Sequence, residues 1–366
     1  MSKKVLLFIF NLAPGGAERV LVTLANGLNR AGCKVTICTI ERETSSFYKL
    51  DQGVTRWSLS DINPPSTGNL FGRAVGALRR LANIRKMIQT ERPSTVISFV
   101  GPLNVIVLLS TFWMRERPQI VVSERNDPQK QKLAQPLEWL RRKLYRHADL
   151  VTANTQGAVD HMQCFVPAAK LMRIPNPVTV SGHISELESI RKLIVLNIAR
   201  LHPQKGQDIL LTAFAGLPDF IKAEWALKII GTGSELDNLR QIARANGLAE
   251  SVITGQATND PWAEYLKAGI FVLPSRFEGL PNVLLEAMSA GCACVVSDAS
   301  PGPLEFLKHE HSGLVFPSGD VSALTSALEQ LINDPDLRNR LGQNARAAVA
   351  DLSEDNVLDE WVSILR

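Results

Sequence analysis

Short runs that are apolar on both faces recur along this chain, separated by amphipathic helical patterns. "KVLLFIF" (4–10) is followed by a helical pattern over 17–31 and then by "KVTICTI" (34–40). A helical pattern over 70–91 leads into "TVISFV" (95–100), and "QIVVSE" (119–124) and "LVTAN" (150–154) complete the series. The scheme then restarts with "KLIVLNIA" (192–199), helix 206–216, "WALKIIG" (225–231), helix 234–246, "SVITG" (251–255), "IFVLPS" (270–275), helix 281–290 and "CACVVSD" (292–298). A strand without a polar face must be covered on both sides, so such runs belong to parallel sheets between layers of helices. Two series predict two doubly wound α/β domains.

A chain of 366 residues suits two ordinary domains better than one core. Periodicity breaks in "IPNPVTVSGHISELES" (174–189), which reads as a linker. The domains are therefore 1–176 and 191–352, joined by 177–190. Beyond 320 three helical patterns follow, with Asp320, Asp334 and Ser353 placed as N-caps. The nearly apolar stretch "VISFVGPLNVIVLLSTFWM" (96–114) reaches the length of a membrane span, but Gly101-Pro102 splits it and Asn104 follows. It parses as a strand, a turn and a buried helix.

Net charge is +4, yet residues 1–180 carry 25 Lys/Arg against 12 Asp/Glu, while 181–366 carry 15 against 24. A basic half joined to an acidic half points to different partners, the basic one favouring an anionic surface. The helical stretches 78–86 and 141–148 concentrate that charge, and both also suit an ordinary solvated face. The aromatic interleaving of a nucleic-acid surface is missing from them, so a nucleic-acid partner is not expected. The five cysteines show no C-x-x-C pair and no ligand spacing with histidine, so they read as free thiols in a reducing compartment.

Three stretches carry candidate chemistry. In "NLAPGGAERVLVTLANGL" (11–28), Gly15 and Gly16 let a ligand approach the backbone at a helix start, although a plain tight turn uses the same residues. In "ARLHPQKGQDIL" (199–210), Arg200 and Lys205 stand five apart in a strand-to-helix loop, a spacing that closes on a diphosphate. In "SRFEGLPNVLLEAMSAG" (275–291), Pro281 suits a first helical turn, and the amides of Gly279, Leu280 and Asn282 offer an anion-ready terminus. Glu278 precedes that terminus. Glu286 shares a helical stripe with Asn282 and Ser289, which is either a solvated face or a surface for a polyol whose hydroxyls the carboxylates accept.

The pattern of Glu278, seven residues, then Glu286 within "FEGLPNVLLEAMSAG" resembles the signature of retaining glycosyltransferases of the GT-B fold. "PGGAER", "NIARLHPQKGQDILLTAF", "IIGTGSELDNL", "VITGQATN" and "RIPNPV" resemble that family's remaining marks in order, over nearly the whole chain. "GGAERVLVTLANGL" with "SSFYKL" is most similar to enzymes that extend lipid-linked oligosaccharides, such as N-acetylgalactosaminyltransferases acting on undecaprenyl diphosphate glycans. The resemblance implies two Rossmann-like domains facing across a cleft, with a nucleotide-sugar, UDP-linked, on the second and a polyprenyl-diphosphate glycan on the first. The segment 353–366 then packs back on the first domain. Glu286 is implied to bind the donor ribose, Glu278 the donor sugar, and Arg200 and Lys205 the diphosphate. Gly16, Gly231, Gly233 and Thr254 are implied to line the donor, and Gly15, Glu124 and Asn126 the acceptor side. Many members place a histidine after the fifth strand; here "VVSERNDP" has Arg125, a cation that holds a ligand but moves no proton.

The family implies no cofactor and no metal. Asp334-Pro335-Asp336 matches the metal-binding D-x-D of other glycosyltransferases, but its place at a helix start favours capping. A cytoplasmic enzyme resting on the inner face of the cell membrane fits the charge and the implied acceptor. Three rivals remain: a nucleotide-sugar 2-epimerase on the same fold, a non-catalytic docking subunit, and a dinucleotide oxidoreductase, the last disfavoured by the missing G-x-G-x-x-G.

Overall fold

The computed structural model describes residues 3–41, 46–59, 70–126, 128–129, 133–178, 191–249, 252–258 and 260–366. The chain forms two compact units, Met1–Pro177 with Glu354–Arg366, and Val178–Ser353. Of the predicted linker, residues 179–190 lie outside the described residues.

The first unit holds a parallel seven-stranded sheet built from β1 (Lys4–Ile9), β2 (Lys34–Thr39), β3 (Thr55–Ser58), β4 (Thr95–Phe99), β5 (Gln119–Glu124), β6 (Leu150–Ala153) and β7 (Leu171–Arg173). Its order is β3-β2-β1-β4-β5-β6-β7. The doubly apolar runs explain the layers. Leu6 and Phe8 pack with Ile84, Ile88 and Leu103 of helices Leu70–Glu91 and Gly101–Thr111. Val5, Leu7 and Ile9 point the other way, onto Val20 and Leu24 of helix Gly16–Arg30 and onto Val357 and Trp361. Each such side chain contributes about 1.5–3 kcal/mol over leaving it in water.

Trp361 belongs to the C-terminal helix Glu354–Ser363, which lies on the first unit's sheet and not on the unit that precedes it in sequence. Gly27 makes room for it, since a β-carbon there would stand 2.9 Å from the methyls of Leu358. Lys3 Nζ donates to Leu365 O at 2.8 Å, which ties the two chain ends together.

The second unit holds a parallel five-stranded sheet of β8 (Lys192–Ile198), β9 (Ala226–Ile230), β10 (Ala268–Leu273), β11 (Ala293–Ser297) and β12 (Leu314–Phe316), in the order β12-β11-β10-β8-β9. Val195, Ile270, Val272 and Val295 fill one face, and Leu196, Phe271, Leu273 and Val296 the other.

The stretch 96–114 divides as its Gly-Pro turn requires, into β4 and helix Gly101–Thr111. Among the described residues no helix is long and apolar enough to cross a membrane. Asp320 and Asp334 cap their helices by accepting from Ala323 N at 2.9 Å and Leu337 N at 2.8 Å. Of the strand expected over 251–255, residue 251 lies outside the described residues and 252–255 form no strand. Ile253 makes a single bridge to Ile229, and Gly255 at φ 66 turns the chain away. Three strands were unexpected: β3, β7 and β12 are edge strands of only three or four residues, too short to stand out as apolar runs.

Candidate active site

In an open parallel sheet, ligands gather beyond the carboxyl ends of strands where the strand order reverses. In the second unit that point falls between β8 and β10, which are neighbours although β9 separates them in sequence. The loops leaving these two strands carry Arg200, Lys205 and Glu278.

The β8 loop makes one 3₁₀ turn, Pro203–Lys205, started by His202 Nδ1 accepting from Gln204 N at 3.2 Å. It then swings into helix Gln207–Ala215 through Gly206, at φ 65 and ψ 25. A β-carbon at Gly206 would lie 2.1 Å from Pro274 O, so this glycine lets the loop lie against the end of β10. Several bonds then join the two loops. Arg276 N donates to Gln204 O at 2.7 Å, and Gln204 Nε2 donates to Phe277 O at 3.0 Å. The Arg276 guanidinium reaches Pro203 O at 2.7 Å and takes Asp208 with two bonds, at 3.0 and 2.7 Å. Burial pushes the Asp208 carboxyl up, but the bonds and charge of Arg276 outweigh it and hold the group below its ordinary value.

This joining brings two charges together. Lys205 Nζ meets Glu278 Oε1 at 2.5 Å, and Ser275 Oγ donates to the same oxygen at 2.6 Å. Glu278 is buried, and its N–H donates to Ser300 Oγ at 3.0 Å. Arg200 is exposed at the end of β8, and its guanidinium meets no partner among the described residues. Its carbonyl accepts from Gln207 Nε2 at 3.1 Å, which fixes the backbone and leaves the cation outward.

Beyond Glu278, the buried Gly279, Leu280 and Pro281 lead into helix Asn282–Ser289. Pro281 is its N-cap and gives no side-chain hydrogen bond to the helix amides. Glu286 is only 4% exposed and Ser289 3%, so the solvated-face reading of their stripe is excluded. Gly231 and Gly233 serve close backbone packing, since β-carbons there would stand 1.9 Å from Ala199 O and 2.1 Å from Leu201 O. Thr254 is exposed, and its hydroxyl donates to Gln256 O at 3.0 Å.

The first unit corrects the sequence reading at several positions. Gly15 is the extended N-cap of helix Gly16–Arg30, at φ −164. A β-carbon on it would stand 2.0 Å from Glu18 Oε2, so a carboxylate of the protein already faces the helix start expected to meet a phosphate beside Gly16. Glu124 is turned inward, accepting from Tyr145 Oη at 2.5 Å with Arg141 at 3.7 Å. Burial pushes its carboxyl above the ordinary range, against the pull of Arg141 and of the Tyr145 bond. That is a buried polar network, not an acceptor surface. Asn126 is half-buried beside it.

Arg125 is not an open cation either. Its guanidinium lies 4.6 Å from the Phe99 ring centre and 5.2 Å from that of Trp361, and it donates to Asn176 Oδ1 at 3.0 Å and Ile174 O at 3.3 Å. The residue as a whole is half-buried, but Nε and one terminal nitrogen are sealed from solvent. Burial lowers its pKa to about 9, so it stays cationic at neutral pH. Arg125 thus clamps the C-terminal helix and the segment Ile174–Asn176. Arg125→Ala is expected to cost about 2–3 kcal/mol through the lost cation–π contacts and charged hydrogen bonds. A thermal melt should fall by roughly 4–12 °C. Nucleotide affinity, measured by titration, should not move; a large loss of it would restore Arg125 to the ligand site.

Two parallel α/β units with a cation–carboxylate pair at a switch point can hold an anionic, hydroxyl-bearing ligand, and known proteins make the class specific. The family model "Glycosyl transferases group 1" matches residues 184–348, and "Glycosyl transferase 4-like domain" matches 15–177. The chain belongs to this glycosyltransferase family and has its GT-B fold.

Among its relatives is an uncharacterized glycosyltransferase of Haemophilus influenzae, 26% identical over 99% of this chain and 100% of the relative. Another is a Campylobacter jejuni α-1,4-N-acetyl-D-galactosaminyltransferase, named for a diNAcBac-PP-undecaprenol glycan, 28% identical over 99% of this chain and 98% of the relative. A crystal structure of Anabaena HepE in complex with UDP aligns over 99% of this chain and 98% of its own, with TM-score 0.78 and 21% identity.

Sequence reasoning did not find Ser275, Ser300, or the Arg276–Asp208 tie. Ser275 was within reach, because a hydroxyl three residues before a loop carboxylate can turn back onto it. Ser300 had no such signal, since it arrives from the loop after β11.

Proposed function

We propose that this protein is a retaining glycosyltransferase that moves a hexose or N-acetylhexosamine from a UDP-sugar to a polyprenyl-diphosphate-linked glycan. The observation that carries the reading is the Lys205–Glu278 contact at the β8/β10 switch point, with Arg200 exposed in the same β8 loop as Lys205. The Campylobacter relative's name supports the acceptor class, and the UDP in the Anabaena structure supports the donor.

In this reading the bond from the anomeric carbon to the diphosphate oxygen breaks as the acceptor oxygen bonds on the same face. The acceptor proton passes to a phosphate oxygen of the departing nucleoside diphosphate. Charge grows on that diphosphate, so Arg200 and Lys205 lower the barrier by meeting it there. Glu278 accepts hydroxyl hydrogen bonds from the sugar, and Glu286 from the ribose. These cations supply the counter-charge, so no divalent metal is required.

The test is transfer from a panel of nucleotide-sugars, with and without a short polyprenyl-diphosphate glycan, in EDTA. Acceptor-dependent UDP release that survives EDTA and falls at least tenfold in kcat/KM in Glu286→Ala is the expected result, on the scale of one lost hydrogen bond from the ribose to a charged group. Loss in EDTA with rescue by Mg²⁺ would remove the metal-independent reading. Turnover without acceptor would make the protein a 2-epimerase.

The enzyme would work on the inner membrane face, held by the helices Leu70–Glu91 and Gln135–Leu144. Leu78 is 66% exposed and Trp139 61%, among the exposed cations Arg79, Arg80, Lys86, Arg142 and Lys143. An exposed apolar side chain with cations near it on the same helix suits an anionic headgroup layer, each cation adding about 1 kcal/mol. Co-sedimentation with phosphatidylglycerol vesicles should be strong, weak with phosphatidylcholine, and reduced at least tenfold in Arg79→Glu/Arg80→Glu. Equal binding to both vesicles would end the electrostatic account.

A further inference from the structure

Glu278 has an asymmetric carboxylate. Oε1 takes two bonds, from Lys205 Nζ at 2.5 Å and from Ser275 Oγ at 2.6 Å. No bond to Oε2 occurs among the described residues. Ser275 is itself fixed: it is 1% exposed, and its carbonyl accepts from Ser297 Oγ at 2.5 Å. The backbone of Glu278 is fixed in turn by Ser300. We infer that Ser275 is a positioning residue: it holds one oxygen of Glu278 so that the other alone meets the transferred sugar. The inference rests on the glycosyltransferase reading above.

The two holders of Oε1 differ in kind. Lys205 has a long flexible stem and a charge that a bound diphosphate attracts. Ser275 has a single rotatable carbon and stands three residues from Glu278 in the same loop. When the donor binds and Lys205 turns toward the diphosphate, Ser275 is what keeps the carboxylate from rotating. Its only proton is spent on Glu278, so it gives nothing to the sugar directly. The open oxygen accepts and cannot donate, so it selects sugars that present hydrogen-bond donors there: hydroxyls, or the N–H of an acetamido group. A carboxylate free to turn would present either oxygen, and discrimination between hydroxyl epimers would fall.

The experiment compares UDP with UDP-N-acetylgalactosamine and UDP-glucose on wild type, Ser275→Ala and Ser275→Thr, by calorimetric titration and by transfer kinetics. Expected for Ser275→Ala is unchanged UDP affinity and a kcat lowered about 10–100-fold, the scale of one lost hydrogen bond to a charged group. Its preference between the two sugar donors should shrink as well. Ser275→Thr keeps the hydroxyl and should recover most of the kcat.

A merely structural role predicts a different pattern, with UDP affinity and the thermal melt falling together and threonine giving no specific rescue; that result would overturn the inference. Unchanged kcat and donor preference in Ser275→Ala would overturn it too. If wild type binds UDP but transfers no sugar, the inference fails together with the proposed function. If wild type transfers sugar and the alanine variant is normal, the inference fails alone.

Discussion

Lys205→Ala is expected to lower kcat for sugar transfer by about 10²–10³, the usual cost of removing one fixed charge from where charge develops in a transition state. The expectation follows from position. Lys205 ends a tight turn at the β8/β10 switch point, held by the bonds of Gln204 and Arg276 to the opposing loop. Its backbone is therefore fixed, and once the bound donor has drawn the ammonium over, the charge is already in place when the leaving diphosphate forms. The same substitution strands Glu278, whose side chain is 8% exposed. Removing one partner of a buried pair costs about 3–5 kcal/mol when nothing else compensates, and the Ser275 bond places this case toward the lower end. Lys205→Ala with Glu278→Gln should regain most of that stability and none of the rate. Such a double-mutant cycle separates the two roles. A kcat within threefold of wild type in Lys205→Ala would reduce this lysine to a structural partner of Glu278.

The largest effect on stability is expected from Gly206→Ala. Two penalties coincide there. At φ 65 an L-residue sits in the left-handed region, at about 1–2 kcal/mol. The new methyl also meets a backbone oxygen, Pro274 O, at 2.1 Å, and a backbone cannot turn aside as a side chain does. Forcing such a contact apart adds about 1–3 kcal/mol. The melt should drop by roughly 10 °C. Gly247→Ala is the control, because φ there is 71 with nothing within 4 Å of the added carbon. It should show the first penalty alone. Gly206→Ala should also lose at least tenfold in transfer where it remains folded, because it pushes Lys205 away from the loop bearing Glu278. Equal melts for the two variants would mean that the loops part without resistance.

The two sheets could be read from the sequence because parallel strands buried on both sides leave uninterrupted apolar runs. Three of the edge strands, β3, β7 and β12, could not, because three or four residues are too few to show a pattern. Thr55–Ser58 buries only its last residue and reads like any polar turn. Within the site, Lys205 and Glu278 were each visible as a charge in a loop. Their contact spans 73 residues and depends on Gly206 letting one loop lie on another, which no local pattern encodes. Arg125 shows the opposite failure. Its charge and strand-end position were plain, but its burial depends on Trp361, which the sequence supplies near its far end. Glu18 over Gly15 was missed for a simpler reason: a glycine turn was read without asking what the protein itself places against it.

The C-terminal helix sets the order in which this protein can be finished on the ribosome. Trp361, among the largest fully buried side chains, packs on a sheet whose strands have all been synthesised by residue 173. Those strands emerge early, yet the face beneath Phe99 stays open until the whole intervening unit has been translated. The nascent chain therefore carries an incomplete apolar surface through half of its synthesis. The second unit, Val178–Ser353, is continuous in sequence and can close first. The first unit, started before the second, is completed after it.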